Sequence, residues 1–160
     1  MKSLCVVSSG NGVMLEIISS HYYRSKDVHV TTVICEAGNE NIDRMSRRYK
    51  FDVVDSGDVG ECISAMGKNG VDLVVVDGDV DGAVVKEYAG KVVFIECGYD
   101  KVEDGWLTTV DFFVVNGDGV TSKLLLSREV GGESVNGGEA EVVGIVTRYM
   151  PAVIDGVLNI

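Results

Sequence analysis

The residues best suited to chemistry lie near the amino terminus, in Ser8-Ser9-Gly10-Asn11-Gly12-Val13-Met14-Leu15. Glycines at 10 and 12 let the backbone turn tightly and aim successive N–H groups at an anion. The positive end of a following helix dipole would sit behind them. Gly10, Asn11, Gly12 and Val13 are therefore candidates for a phosphate cradle. The segment is not the dinucleotide fingerprint, because no glycine stands three residues after Gly12; an ordinary strand-to-helix turn would also use these glycines. A second candidate is Asp77-Gly78-Asp79-Val80-Asp81-Gly82, whose alternate acids resemble the start of a calcium loop. It lacks the closing glutamate at the required spacing and reads as a solvated turn with no metal. His21 and His29 are the only histidines, and both read as structural or surface residues. Asn116-Gly117-Asp118-Gly119 is hairpin-turn chemistry in its own right.

These segments are positioned by short apolar runs that alternate with helical spacing. Ser3–Ser8, Val28–Cys35, Phe51–Val54, Val71–Asp77 and Lys91–Cys97 read as strands, the longer ones buried on both faces and hence parallel. Met14, Ile17, Ile18 and Tyr22 share one face of a helix from about Gly12 to Arg24. Ile42, Met45 and Tyr49 mark a second, with the basic stretch Arg44 to Lys50 on its outer face. Val59, Cys62, Ile63 and Met66 mark a third, and Ala83 to Ala89 a short fourth. The alternation predicts an α/β fold: three layers, with an open, mostly parallel twisted sheet and helices on both faces. Beyond Gly98, Leu107–Asn116 and Val120–Val130 read as a β-hairpin about Gly117-Asp118-Gly119. A helix from Glu139 closes the chain, and Pro151 should kink or restart it. No linker or repeat interrupts 1–160, which reads as one domain.

The chain carries 14 Lys+Arg against 25 Asp+Glu, a net charge of −11. That balance argues against nucleic acid or an anionic membrane surface as the principal partner. The acidity is concentrated, since residues 72–118 hold eleven carboxylates and three basic residues. Four cysteines form no C-x-x-C pair, which points away from zinc and disulfides and towards a reducing cytoplasm. No apolar run is long enough to span a membrane.

Read in order, several segments resemble the phosphoribosylglycinamide formyltransferase family. Val6-Val7-Ser8-Ser9-Gly10-Asn11-Gly12-Val13-Met14-Leu15-Glu16-Ile17-Ile18 looks like its opening strand, loop and helix. Val71-Asp72-Leu73-Val74-Val75-Val76-Asp77-Gly78 resembles its D-L-V-V-L-A-G-F. Glu87-Tyr88-Ala89-Gly90-Lys91-Val92-Val93 resembles the approach to its Asn-x-His. Thr109-Val110-Asp111-Phe112-Phe113-Val114 resembles T-V-H-F-V, and Met150-Pro151-Ala152-Val153-Ile154 its closing helix. The resemblance spans nearly the whole chain. It implies a Rossmann-like formyltransferase fold, 10-formyltetrahydrofolate as the formyl donor, a phosphorylated small molecule on Gly10, Asn11, Gly12 and Val13, and Asp118 as a catalytic acid.

The departures fall on the chemistry. Carried over by position, the family's Asn lands on Phe94 and its His on Glu96. Phenylalanine offers no hydrogen bond, and a carboxylate repels a developing oxyanion. The long substrate segment after that pair is missing between Gly98 and Thr108. The phosphate loop ends in Val13-Met14 where the family has Ser-Asn. Two functions follow as expectations. One is a formyltransferase-like protein of purine or one-carbon metabolism with impaired or absent transfer. The other is a non-catalytic binding or assembly module, with homo-oligomerisation left open.

Overall fold

The computed structural model describes residues 1–77, 84–85, 87–115, 122–132 and 138–160. Among them seven strands form one sheet: β1 (Lys2–Val7), β2 (Val28–Cys35), β3 (Asp52–Asp55), β4 (Leu73–Val76), β5 (Lys91–Val102), β6 (Gly105–Val115) and β7 (Ser122–Gly132). Four helices accompany them: α1 (Val13–Tyr22), α2 (Glu40–Tyr49), α3 (Val59–Lys68) and α4 (Glu139–Leu158). The sheet order is β3-β2-β1-β4-β5-β6-β7. The first five strands are parallel, and β6 and β7 add antiparallel strands at one end. This is the expected open three-layer α/β fold.

Alternation along the central strands builds two cores. Leu4 and Val6, Leu73 and Val75, and Val93 face α1, α2 and α4. Cys5 and Val7, Val74 and Val92 face α3. Side chains on a strand point alternately to opposite faces, so fully apolar strands require cover on both. In β2 the parity changes: Val28 and Val30 share the larger core with Val33 and Cys35. The β1–β2 register skips a residue between Leu4 and Cys5. One extra residue, Thr31, absorbs the shift, and its hydroxyl donates to the Leu4 carbonyl at 3.3 Å.

Two expectations are corrected. The segment between Gly98 and Thr108 is not a shortened loop. It belongs to β5 and β6, which continue past Cys97 and meet in register from Val92–Val115 out to Val102–Gly105. A turn at Glu103-Asp104 joins them. The alternation there is broken by Gly98 and by charged residues, which masks strand periodicity in the sequence. Nor does Pro151 restart the last helix. Residues Glu139–Leu158 form one twenty-residue element with Pro151 buried inside it. The Pro151 carbonyl accepts from the Tyr22 hydroxyl at 3.0 Å, and Asp155 Oδ1 accepts from the same hydroxyl at 2.7 Å. These bonds tie α1 to α4 and push the Tyr22 phenol strongly upward, burial being the larger cause. The expected turn at Gly117-Asp118-Gly119 lies outside the described residues, as do Ala83 and Lys86 of the expected fourth helix; of the rest of that segment Val84 and Val85 are helical and 87–89 are not.

Candidate functional site

In an open parallel sheet, ligands bind beyond the carboxyl ends of the strands where the strand order reverses. Here that point lies between β1 and β4. β1 leads outward to β2, whereas β4 leads to β5 on the other side. The Asp77 N–H donates to the Val7 carbonyl at 2.8 Å, and the Ser9 hydroxyl donates to the Asp77 carbonyl at 3.1 Å. The ends of both strands are thereby pinned together at the root of the glycine loop.

The loop is held from two sides. Gly10 and Gly12 adopt left-handed backbone at φ 64° and 74°, a region that disfavours any residue with a Cβ. Gly12 is further constrained by space, since a Cβ there would meet Met45 Cε at 2.8 Å. Gly10 has no neighbour within 4 Å of that position, so only its backbone angle requires glycine. Asn39 Nδ2 donates to the Gly10 carbonyl at 2.8 Å, while Asn39 Oδ1 accepts from the Ile42 N–H at 3.2 Å. One side chain thus caps α2 and anchors the loop. Gly12 is the cap of α1 and supplies no side-chain acceptor. The first-turn N–H groups of α1 are left for solvent or a ligand. The Ser8 hydroxyl at the root of the loop is buried without a hydrogen-bond partner. The structure thus brings Gly10, Asn11, Gly12 and Val13 together as one turn. Asn11, Gly12 and Val13 open onto a cleft of about 730 Å³ between α1 and α2, lined also by Glu16, Arg44 and Arg48. Glu16 accepts from the Tyr49 hydroxyl at 2.7 Å. Arg44 and Arg48 are exposed residues of α2, and the sequence placed them only on an outer face.

The other half of the expected site is of a different character. Phe94 lies opposite Phe113 across β5 and β6, the rings stacked 5.2 Å apart at 14°. Both are half-buried. Glu96 is exposed and lies opposite Asp111, a like-charge cross-strand pair that is mildly unfavourable. The Ser127 hydroxyl donates to Asp111 Oδ1. Burial raises the Asp77 carboxyl above its ordinary range. Burial, then Asp77 and Asp111, raise the Cys97 thiol. Glu96 and Asp111 therefore lie beside a phenylalanine stack, on the face of β5 opposite to Cys97. Asp118 lies outside the described residues, as do Asp79 and Asp81. Among the described residues no cluster of His, Cys, Asp and Glu is arranged to hold a metal. His29 pairs with Ser3 near the amino end of β2, remote from the loop end of the sheet. His21 is exposed and packs edge-on against Tyr22 at 4.7 Å.

Comparison with known proteins bears on the fold. The phosphoribosylglycinamide formyltransferase of Streptococcus pneumoniae TIGR4 superposes with a TM-score of 0.75 at 16% identity, covering 99% of each chain. The enzyme of the same description from Campylobacter jejuni superposes at 0.77 with 12% identity, over 98% of this chain and 97% of the other. This chain has the formyltransferase fold. Glycinamide ribonucleotide transformylase 1 of Geobacillus kaustophilus agrees, at 0.75 and 19% identity over 96% of each chain. No protein-family model matches the sequence, and no curated protein matches it. Identities this low extend the likeness to the formyltransferase backbone and not to its chemistry. No helix among the described residues is long and apolar enough to cross a membrane.

The sequence alone did not reveal Phe113 as the partner of Phe94, nor Asn39 as the anchor of the loop. The Phe pair is a cross-strand contact whose register depends on the unforeseen β5–β6 turn. Asn39 carried a local signal, since asparagine before a helical apolar pattern is a capping residue. Its second bond, to Gly10, is visible only in three dimensions.

Proposed function

We propose that this protein keeps the formyltransferase scaffold without formyl transfer, as a binding or assembly module that holds a phosphorylated small molecule on Gly10, Asn11, Gly12 and Val13. The observation that carries this reading is the Phe94–Phe113 stack beside Glu96 and Asp111. A transferase needs preorganised donors where negative charge develops, and each such donor is commonly worth about 3–4 kcal/mol of the barrier. An aromatic stack and carboxylates supply none. The short β5–β6 connection also leaves no chain from which a long substrate loop could be built. These features do not fit 10-formyltetrahydrofolate, itself an anion, and no step is assigned to it. The phosphate half of the reading is supported by the two left-handed glycines, the open first turn of α1 and the orphaned Ser8 hydroxyl.

Calorimetry with glycinamide ribonucleotide, paired with a formyl-transfer assay, tests both halves. Binding without turnover is the expected result, weakened by Gly10→Ala. Turnover that Asp118→Ala abolishes would restore the catalytic reading, as a transferase of purine or one-carbon metabolism. No binding of nucleotide at millimolar concentration would sink the phosphate cradle.

A further inference from the structure

A second concavity lies on the α4 face of the sheet, at the amino end of β5 and away from the glycine loop. It has a volume of about 550 Å³ and is walled by Val114, Leu125, Leu126, Val153 and Val157. That size falls within the roughly 300–1,000 Å³ of small-molecule sites.

Three independent features shape it. The first is a bulge in the outer strand. Phe112 pairs with Leu126 and Phe113 with Leu124, so Leu125 is an extra residue in β7. Neighbouring residues of a regular strand point to opposite faces, yet Leu125 and Leu126 both line this groove. The second is Gly156, in the last turn of α4. A Cβ there would meet nothing within 4 Å, so neither crowding nor backbone angle requires glycine. Glycine has a lower helix propensity than alanine, and here its effect is to widen the groove.

The third is charge. Lys91 and Lys123 line the same groove from β5 and β7, with Val114 of β6 between them. Their registers place them two strands apart and two residues offset, a Cα separation of about 12 Å. Two extended lysine side chains close that distance onto one head group. In a chain with 25 carboxylates, neither lysine forms an ion pair or hydrogen bond among the described residues.

We infer that this groove binds a small amphipathic carboxylate, its head group between Lys91 and Lys123 and its apolar chain along Leu125, Leu126, Val153 and Gly156. The inference is independent of the phosphate reading, which concerns the opposite ends of the strands.

The test titrates the whole chain with decanoate, and with decan-1-ol as the uncharged probe, following backbone amide shifts. Decanoate should give saturable shifts at Lys91, Lys123, Leu125 and Gly156. Lys91→Gln with Lys123→Gln should weaken decanoate at least ten-fold and leave decan-1-ol unchanged. Gly156→Leu should abolish binding of both while raising the melting temperature, because leucine favours the helix and fills the groove. Four results would overturn the inference: no saturable shifts at millimolar decanoate, shifts that lie elsewhere, equal decanoate affinity in the lysine variant, or retained affinity in Gly156→Leu. The same residues shifting on protein concentration alone would also overturn it, by assigning the groove to a second copy of the chain.

Discussion

If Phe94 has replaced a hydrogen-bonding group with a packing group, its energetics must be those of an aromatic pair. Truncating a fully buried phenylalanine to alanine removes about 3–5 kcal/mol. Phe94 and Phe113 are each half-buried, so each single truncation should cost about 2 kcal/mol. Of each loss about 1 kcal/mol is the pairwise contribution of their stacked geometry, 5.2 Å between centroids and 14° between planes, which either truncation removes. The double variant Phe94→Ala/Phe113→Ala should therefore lose about 3 kcal/mol, less than the two single losses together. Urea denaturation of the four proteins at constant m-value measures this cycle. In a domain of this size each single variant should also melt about 4–8 °C lower. A coupling within about 0.3 kcal/mol of zero would show that the rings do not pack in solution. The place beside Phe94 and Glu96 would then be open, and the strongest support for a non-catalytic role would be gone.

Other outcomes follow from the same geometry. Replacing Phe94 by Asn together with Glu96 by His should lower stability and yield no formyl transfer, because the loop that would complete a site is absent; measurable turnover would contradict this. Gly12→Ala combines a left-handed backbone with a 2.8 Å contact to Met45 and should cost about 2 kcal/mol, against about 1 kcal/mol for Gly10→Ala. Equal losses in urea would refute the crowding at Gly12. Asn39→Asp keeps the acceptor for Ile42 N–H but loses the donor to Gly10, so it should retain α2 stability and weaken ligand binding, whereas Asn39→Ala should also lose about 1 kcal/mol. Burial raises the folded-state pKa of Asp77 above its unfolded value. The folded protein then holds the proton more tightly, and stability falls as pH rises from the unfolded carboxylate pKa through the folded one. Asp77→Asn should therefore stabilise at pH 7 and give no gain below the unfolded pKa, a difference read from urea midpoints at the two pH values. Finally, Cys5 and Cys35 are buried with thiols pushed up to about 12 and about 11, and Cys62 is buried too, whereas Cys97 is exposed. A thiol reagent at pH 8 should label Cys97 in the native protein and the other three only on unfolding; rapid labelling of a second cysteine would contradict the burial.

What could be read from the chain follows the range of the forces involved. Strand and helix identity came from periodicity and from apolar runs, which are local, and the parallel order followed because strands such as Leu73–Val76 are apolar on both faces. The glycine loop was legible because left-handed backbone restricts the residue type directly. The same local logic failed at Gly98–Thr108, where glycine and charges hide a hairpin whose stability comes from pairing with β7 on its other side. It failed again at Pro151, where the neighbouring α1 and a buried environment hold the helix through a residue that breaks isolated helices. By itself, then, the sequence determined the α/β architecture, the glycine turn between β1 and α1 and the absence of Asn and His from positions 94 and 96. Only the tertiary structure decided what fills that place, namely a stack with Phe113, and that Lys91 and Lys123 share a groove with the bulged Leu125. Cross-strand register and the approach of α4 to β7 are products of the whole packed chain, and no window of neighbouring residues encodes them.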